Sequence, residues 1–391
     1  MHPNSWGLQK SPHEHKVALF LRNVGGGGLE RVMLNIACGI AQQGVLVDLV
    51  LMKAEGIFLS HISPQVRIID LGIIGAEKFL TRLQSLSSLP KLIDYLKKEQ
   101  PTALLSAGHY PNEIAIAAKY LARAIARVVV SEHTALSVEA KRVEQVSARV
   151  APLTARFFYP HADAIVTVSH GVGEDLSRLV GLPLKGMKTI YNPVITPQLK
   201  LQAEAHLDHP WFAQGEPPVI LGLGRFVVQK DFPTLIRAFA KVHQVKPVRL
   251  MMLGSGRESH NLQSLARELG VENDIDWLGF VENPFPYMKR GKIFVLSSAW
   301  EGLPTVLIEA LALGLQVVAT NCNSGPAEIL DNGKYGELVP VGDSDMMAEA
   351  ILRVLSGESK PVDSGWLEQF TLETSVKKYL EVLGISQTGS Y

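Results

Sequence analysis

Between Lys16 and Asn192 the chain alternates short, unbroken apolar runs with longer amphipathic stretches. The runs "KVALFL" (16–21), "VLVDLVLM" (45–52), "VRIID" (66–70), "TALLSAG" (102–108), "ARVVVSE" (126–132), "AIVTVS" (164–169) and "KTIYN" (188–192) read as strands. The stretches near 28–43, 85–99, 112–124, 143–158 and 172–180 read as helices. Strands apolar on both faces, with a helix between each and the next, make a parallel sheet covered on both sides.

A polar, proline-bearing segment, "TPQLKLQAEAHLDHPWFAQGEPP" (196–218), interrupts the alternation and reads as a linker. The pattern then restarts with strands at 219–224, 248–254, 274–280, 292–298, 315–320 and 335–341 and helices near 231–244, 257–269, 304–313 and 343–356. The predicted organisation is a Rossmann-like domain over 1–195, a linker over 196–217, a second Rossmann-like domain over 218–370, and a C-terminal helix over 371–391 whose return to the first domain is left open. Ligands of open α/β sheets bind beyond the carboxyl ends of the strands, so the expected site is the cleft between the two domains, lined by loops that follow strands.

Composition narrows the class. At 47% hydrophobic and 19% charged, 391 residues can bury substantial cores. Lys+Arg and Asp+Glu are both 38, which argues against a dedicated nucleic-acid binder. Cys38 and Cys322 form no disulfide framework or metal-type spacing, which fits a reducing cytoplasm. The first fifteen residues are polar, "VALFL" is too short for a secretory core, and no run approaches the ~20 residues of a membrane-spanning helix. A cytoplasmic protein, at most peripheral at the inner membrane face, is expected.

Chemistry is sought in the loops after strands. Gly25, Gly26, Gly27 and Gly28 end the first strand and open a helix, where glycines admit a ligand to the backbone and the helix N-terminus attracts anions. Their spacing matches neither the dinucleotide fingerprint nor the Walker loop, and a flexible turn is the alternative. In "GLGRFVVQKDFPTLI", Arg225 and Lys230 precede a helix starting near Asp231; two cations at a helix N-terminus suit a diphosphate, and two solvated loop charges are the alternative. "WEGLPTVLIEALALG" (300–314) places Glu301 in a loop and Glu309 inside a helix that is otherwise apolar from Val306 to Leu313. A carboxylate there is costly without a partner. Pro304 suits the first helical turn, and free N–H groups around Gly302, Leu303, Thr305 and Val306 make an anion site. One acid for a sugar, one for a ribose and amides for phosphates describe a sugar nucleotide.

This stretch resembles the E-x7-E signature of retaining glycosyltransferases of the GT-B fold, in particular family four. "GGGGLERV", "PHADAIVTVSHGVGEDL" (160–176), "TIYNPV" (189–194), "GLGRFVVQKDFPTLI" and "GELVPVGD" (336–343) resemble further segments of that family, in order. The resemblance implies two Rossmann-like domains with parallel sheets facing across a cleft. It implies that Arg225 and Lys230 hold the donor diphosphate, Glu301 the donor sugar and Glu309 the ribose. Backbone groups of 302–306 would support phosphate and sugar, and Val281 in "GFVEN" would face the base. His133 in "VVVSEH" matches a family histidine near sugar and acceptor; His109 in "SAGHYPN" is a second candidate, for the acceptor. The sequence departs from many relatives in carrying Ser-Gly-Pro in "NSGPAEIL" (323–330), which leaves the donor open.

The expected activity is therefore retaining transfer of a hexose or N-acetylhexosamine from a nucleotide sugar, UDP being the preferred nucleotide, to a hydroxyl of a glycan, lipid-linked or small-molecule acceptor. No metal and no cofactor beyond the nucleotide-sugar co-substrate is expected, because no carboxylate pair resembles a metal–diphosphate carrier. A UDP-sugar epimerase of the same fold and a non-catalytic two-domain binding protein are the alternatives. Two basic, apolar-interleaved stretches, 77–98 with Lys78, Arg82, Lys91, Lys97 and Lys98, and 137–158 with Lys141, Arg142, Arg149 and Arg156, suggest contact with an anionic membrane; an ordinary solvated helix face is the other reading.

Overall fold

The computed structural model describes residues 15–25, 27–73, 81–142 and 146–385, without the side chains of 81–85 and 142–148. Two compact units are present. The first takes residues up to Val168, Val172–Pro193 and Leu372 onward; the second takes Ser169–Gly171 and Val194–Thr371.

The first unit is built on seven parallel strands: β1 (Lys16–Leu21), β2 (Leu46–Leu51), β3 (Val66–Asp70), β4 (Ala103–Ala107), β5 (Arg127–Glu132), β6 (Ala164–Thr167) and β7 (Met187–Thr189), in the order β3-β2-β1-β4-β5-β6-β7. Alternate residues of β1 explain the unbroken apolar run. Val17, Leu19 and Leu21 join the core beneath helices Gly28–Gln42 and Leu372–Leu383, while Ala18 and Phe20 join the core on the opposite face with Leu92, Ile114 and Tyr159. The last helix of the chain thus completes the first unit. Its close approach to the first helix needs Gly39, where a Cβ would lie 2.5 Å from Val376 Cγ2.

The second unit holds six parallel strands: β8 (Val219–Leu223), β9 (Arg249–Leu253), β10 (Ile275–Gly279), β11 (Ile293–Leu296), β12 (Gln316–Thr320) and β13 (Glu337–Val339), in the order β10-β9-β8-β11-β12-β13. Each sheet reverses its strand order once, at β1/β4 and at β8/β11. Both units are Rossmann-like.

Several boundaries differ from the sequence reading, among them the helix expected at 85–99, which begins at Thr81 among the described residues. The expected helix at 112–124 begins at His109, because Gly108 at φ +91° turns the chain before it and Pro111 falls in the first turn, where its missing N–H is not needed. The expected helix at 143–158 runs from Val146 to Phe158 among the described residues, and a helix that was not expected, Leu136–Arg142, precedes it. The expected linker carries a helix, Pro197–Ala203, whose Thr196 hydroxyl accepts the Leu199 N–H at 3.2 Å, and a turn in which Arg249 stacks on Trp211, 4.9 Å from the ring centre.

Candidate active site

Ligands of open parallel sheets sit beside the reversal in strand order. In the second unit the loops leaving β8 and β11 meet there, at 224–231 and 297–304. The first is set by glycines. Gly224 has φ +151°, and in the loop after β9 Gly254 has φ +146°. A Cβ on Gly254 would lie 1.9 Å from the Gly224 carbonyl oxygen, and one on Gly256 2.3 Å from that of Phe226. The Phe226 N–H donates to Ser255 O at 2.9 Å and the Glu258 N–H to Phe226 O at 3.0 Å. "GLG" and "GSG" are therefore glycines because two main chains touch there.

Lys230 lies over Gly224 and reaches the second loop. Its Nζ is 2.5 Å from Glu301 Oε1, and Ser298 Oγ donates to the same oxygen at 2.7 Å. The side chains are only 15% and 8% exposed, so this ion pair is largely withdrawn from water. The loops are tied together besides: Ser297 Oγ donates to Lys230 O at 2.8 Å, the Ala299 N–H to Gln229 O at 2.8 Å, and Gln229 Nε2 to Trp300 O at 3.0 Å. Thr320 Oγ1, from β12, holds Ser298 O at 2.6 Å. Two of the three N–H groups of Lys230, and Glu301 Oε2, have no partner among the described residues. Burial and the Glu301 carboxylate push the nearby Cys322 thiol up to about 12, so it stays protonated.

Pro304 lies one position ahead of its expected place, as the N-cap of helix Thr305–Ala312. The N–H groups of Thr305 and Val306 find no acceptor among the described residues, as helix starts leave them. Gly325, at φ +91°, packs on Pro304, where a Cβ would come within 2.5 Å of Cδ. The Gly302 carbonyl accepts Ser169 Oγ at 2.9 Å, and Leu303 is buried. Glu309 is 4% exposed, among buried Leu307, Ile308, Ala310 and Leu311. Arg225 is exposed with no side-chain partner among the described residues. Val281 is half-buried in the turn after β10. Sequence reading passed over Glu328, whose two oxygens accept the N–H groups of His170 (2.8 Å) and Gly171 (2.9 Å). This main-chain task gives the acid of "NSGPAEIL" a structural reason.

In the first unit the loops at the reversal follow β1 and β4. Gly27 is the extended N-cap of the helix that Gly28 begins; Gly25 precedes it, and Gly26 lies outside the described residues. Gly56, at φ +129°, presses on this loop, its Cβ position 2.0 Å from Val24 O. His109 is the first residue of its helix; its Nε2 is 3.2 Å from Glu113 Oε1 and 3.3 Å from Thr154 Oγ1. His133 follows β5. Its Nε2 is 3.0 Å from Ser131 Oγ, and burial lowers the imidazole to about 4, leaving it neutral at pH 7. Glu132 was also missed, although an acid closing an apolar strand is a visible signal. It is 1% exposed; Oε2 accepts the Tyr159 hydroxyl at 2.6 Å and Oε1 the N–H groups of His133 (3.0 Å) and Thr134 (3.3 Å). Burial outweighs these bonds and pushes its carboxyl up to about 7. Among the described residues no group of three or more His, Cys, Asp or Glu is placed to hold a metal.

Two family models match the chain: Glycosyltransferase Family 4 over residues 26–197 and Glycosyl transferases group 1 over 207–365. The lipopolysaccharide core biosynthesis glycosyltransferase LpsE of Rhizobium meliloti is 32% identical over 58% of this chain and 65% of its own length, slightly under two thirds. The N-acetylgalactosamine-N,N'-diacetylbacillosaminyl-diphospho-undecaprenol 4-alpha-N-acetylgalactosaminyltransferase of Campylobacter jejuni is 28% identical over 88% of this chain and 91% of its own length. Among solved structures, HepE of Anabaena in complex with UDP-glucose superposes with a TM-score of 0.75 at 20% identity, covering 94% of this chain and 99% of that one, a likeness of fold.

Proposed function

Since the chain belongs to the group 1 and family 4 glycosyltransferases, whose models match its second and first halves, we propose that it transfers a hexose or N-acetylhexosamine from a UDP-sugar to an acceptor hydroxyl with retention of configuration. The observation that carries the donor side is the Lys230–Glu301 pair at the β8/β11 reversal, beside the unused N–H groups of Thr305 and Val306. Lys230, the exposed Arg225 and those amides meet the diphosphate. Glu301 Oε2 accepts a hydroxyl of the transferred sugar, Glu309 the ribose hydroxyls, and Val281 faces the base. Gly25–Gly28 and His133 are proposed as sugar contacts, and His109 as an acceptor contact.

In the proposed reaction the bond from the anomeric carbon to the β-phosphate oxygen breaks. The acceptor oxygen bonds the same face of that carbon, and its proton passes to the departing phosphate oxygen. Fixed cations and amides stabilise the charge that develops on UDP, with neither an enzymic nucleophile nor a metal. UDP-glucose in the HepE complex supports the choice of nucleotide, and the diphospho-undecaprenol acceptor in the Campylobacter enzyme's name supports a lipid-linked acceptor.

Such an acceptor lies at a membrane. Among the described residues no helix is long and apolar enough to cross one. Helix Val146–Phe158 contains no acid and turns Arg149, Leu153, Arg156 and Phe157 outward, Leu153 being 71% and Phe157 68% exposed. This arginine–apolar face is the part of the basic stretches suited to lying on an anionic bilayer. Of the other stretch, Lys78 lies outside the described residues, and Lys91 Nζ is held by Leu71 O at 2.5 Å.

The test supplies UDP- and GDP-linked sugars with lipid-linked and free glycan acceptors, and reads the anomeric configuration of the product by NMR. Transfer from GDP-sugars only refutes the nucleotide, and an inverted product refutes retention. A new sugar nucleotide formed without acceptor marks an epimerase.

A further inference from the structure

Behind His133 lies a buried chain of hydroxyls that the proposed function does not use. Ser131 lies two residues earlier, on β5, and is fully buried. Its Oγ is 3.0 Å from His133 Nε2 and 3.2 Å from the hydroxyl of Tyr379, on the last helix of the chain. Tyr379 is 1% exposed. Burial raises its phenol to about 12, so it keeps its proton at every working pH.

The protons of this chain have one arrangement that satisfies every group. A buried hydroxyl proton without an acceptor is expensive. Tyr379 has no partner other than Ser131 among the described residues, so its O–H donates to Ser131 Oγ. The Ser131 proton is then free to donate to His133 Nε2, which must be the bare nitrogen of the neutral ring. The reverse order, His133 Nε2–H to Ser131 to Tyr379, leaves the Tyr379 proton with nothing to bond.

We propose that Tyr379 and Ser131 are positioning residues that hold His133 as the Nδ1–H tautomer, so that the ring presents a hydrogen-bond donor and not an acceptor to an oxygen of the donor sugar or acceptor. The inference rests on the reading of His133 as a sugar- or acceptor-facing group for its functional meaning, though the tautomer is a property of the free protein. A wrong tautomer disables a histidine whose geometry is intact.

Long-range 1H–15N correlation spectra of the full chain, with the His133 signals assigned by loss in His133→Asn, read the tautomer directly, because protonated and bare ring nitrogens resonate far apart. A protonated Nδ1 and a bare Nε2 are expected, with the preference lost in Tyr379→Phe and Ser131→Ala. Transfer in both variants should fall about ten-fold or more, the scale of one misdirected hydrogen bond, with UDP affinity unchanged. A protonated Nε2 in the wild type overturns the proposal, as does an Nδ1–H tautomer that persists in Tyr379→Phe. If the tautomer responds as expected but His133→Asn transfers sugar normally, the relay stands and the functional reading of His133 falls.

Discussion

Removing Lys230 should harm the fold as well as the reaction. Its ammonium is 2.5 Å from Glu301 Oε1, and Glu301 is 8% exposed with Ser298 Oγ as its remaining donor. The Lys230→Met substitution fills much of the same space but leaves a buried carboxylate supported by a single hydroxyl. Breaking one side of a buried pair costs roughly 3–5 kcal/mol; the 15% exposure of Lys230 and the bond from Ser298 place this case near ~3 kcal/mol. With a urea slope of about 2 kcal/mol per M, the unfolding midpoint should fall by about 1.5 M. Glu301→Gln strands an ammonium whose other N–H groups remain free to turn to water, and should cost less. The double variant should recover part of the loss, since neither charge is then left alone, with a coupling of roughly 1–3 kcal/mol. Turnover should separate from stability: Lys230→Met should lose about 100-fold or more, as on losing one transition-state charge stabiliser. Glu301→Gln should keep its UDP affinity, because it frees Lys230 for the diphosphate, and lose sugar transfer. Urea titrations and UDP calorimetry on the three proteins decide the matter. Additive stability losses in the double variant would refute the pairing. Full turnover in Lys230→Met would refute the diphosphate role, and loss of UDP binding in Glu301→Gln would reverse the two assignments.

Glu309→Gln should weaken UDP and UDP-sugar alike by about ten- to hundred-fold, the worth of charge-assisted bonds to the ribose, read by calorimetry; unchanged affinity removes the ribose role. Glu132 has a folded-state pKa of about 7 against an ordinary 4.5, so the folded protein binds the extra proton and stability should fall as pH rises from about 4.5 to 7. Glu132→Gln should flatten that window in urea titrations, and an unchanged slope sinks the claim. His133, lowered to about 4 from 6.5, works in the opposite sense, its stability lost as pH falls from about 6.5 to 4 and the loss absent in His133→Asn. The protein should sediment with anionic vesicles at low salt and release at high salt, with Leu153→Ser/Phe157→Ser abolishing the binding; equal recovery with neutral and anionic vesicles refutes the membrane face. Transfer should persist in excess EDTA, and loss restored by manganese or magnesium would reveal a metal requirement.

The fold was legible because fully buried parallel strands announce themselves: Val17 to Leu21 are apolar at every position since each face of β1 meets its own core. Boundaries were less legible where a local signal was outvoted by composition. Thr196-Pro197 is a helix start on chemical grounds, a capping hydroxyl before a proline at the first helical position, yet the polar residues after it read as linker. The expectation that chemistry sits after strands brought Lys230, Glu301 and His133 into view one at a time. What a linear reading lacks is adjacency. Lys230 and Glu301 are 71 positions apart and Ser131 and Tyr379 248 apart, and no periodicity says that β8 lies beside β11, or that the last helix returns to the first sheet. Adjacency changes the chemistry assigned. Read singly, Lys230 is a phosphate cation and Glu301 a sugar acceptor, each waiting for a ligand. As neighbours in a nearly dry loop they first satisfy each other, which is how two charges persist there without substrate. Their unused valences, two N–H groups and one carboxylate oxygen, are then what remains for a ligand. A diphosphate can share the ammonium without displacing Glu301, since an ammonium has three donors and the carboxylate takes one. In the proposed function the donor therefore binds without first breaking the pair that holds the two loops together.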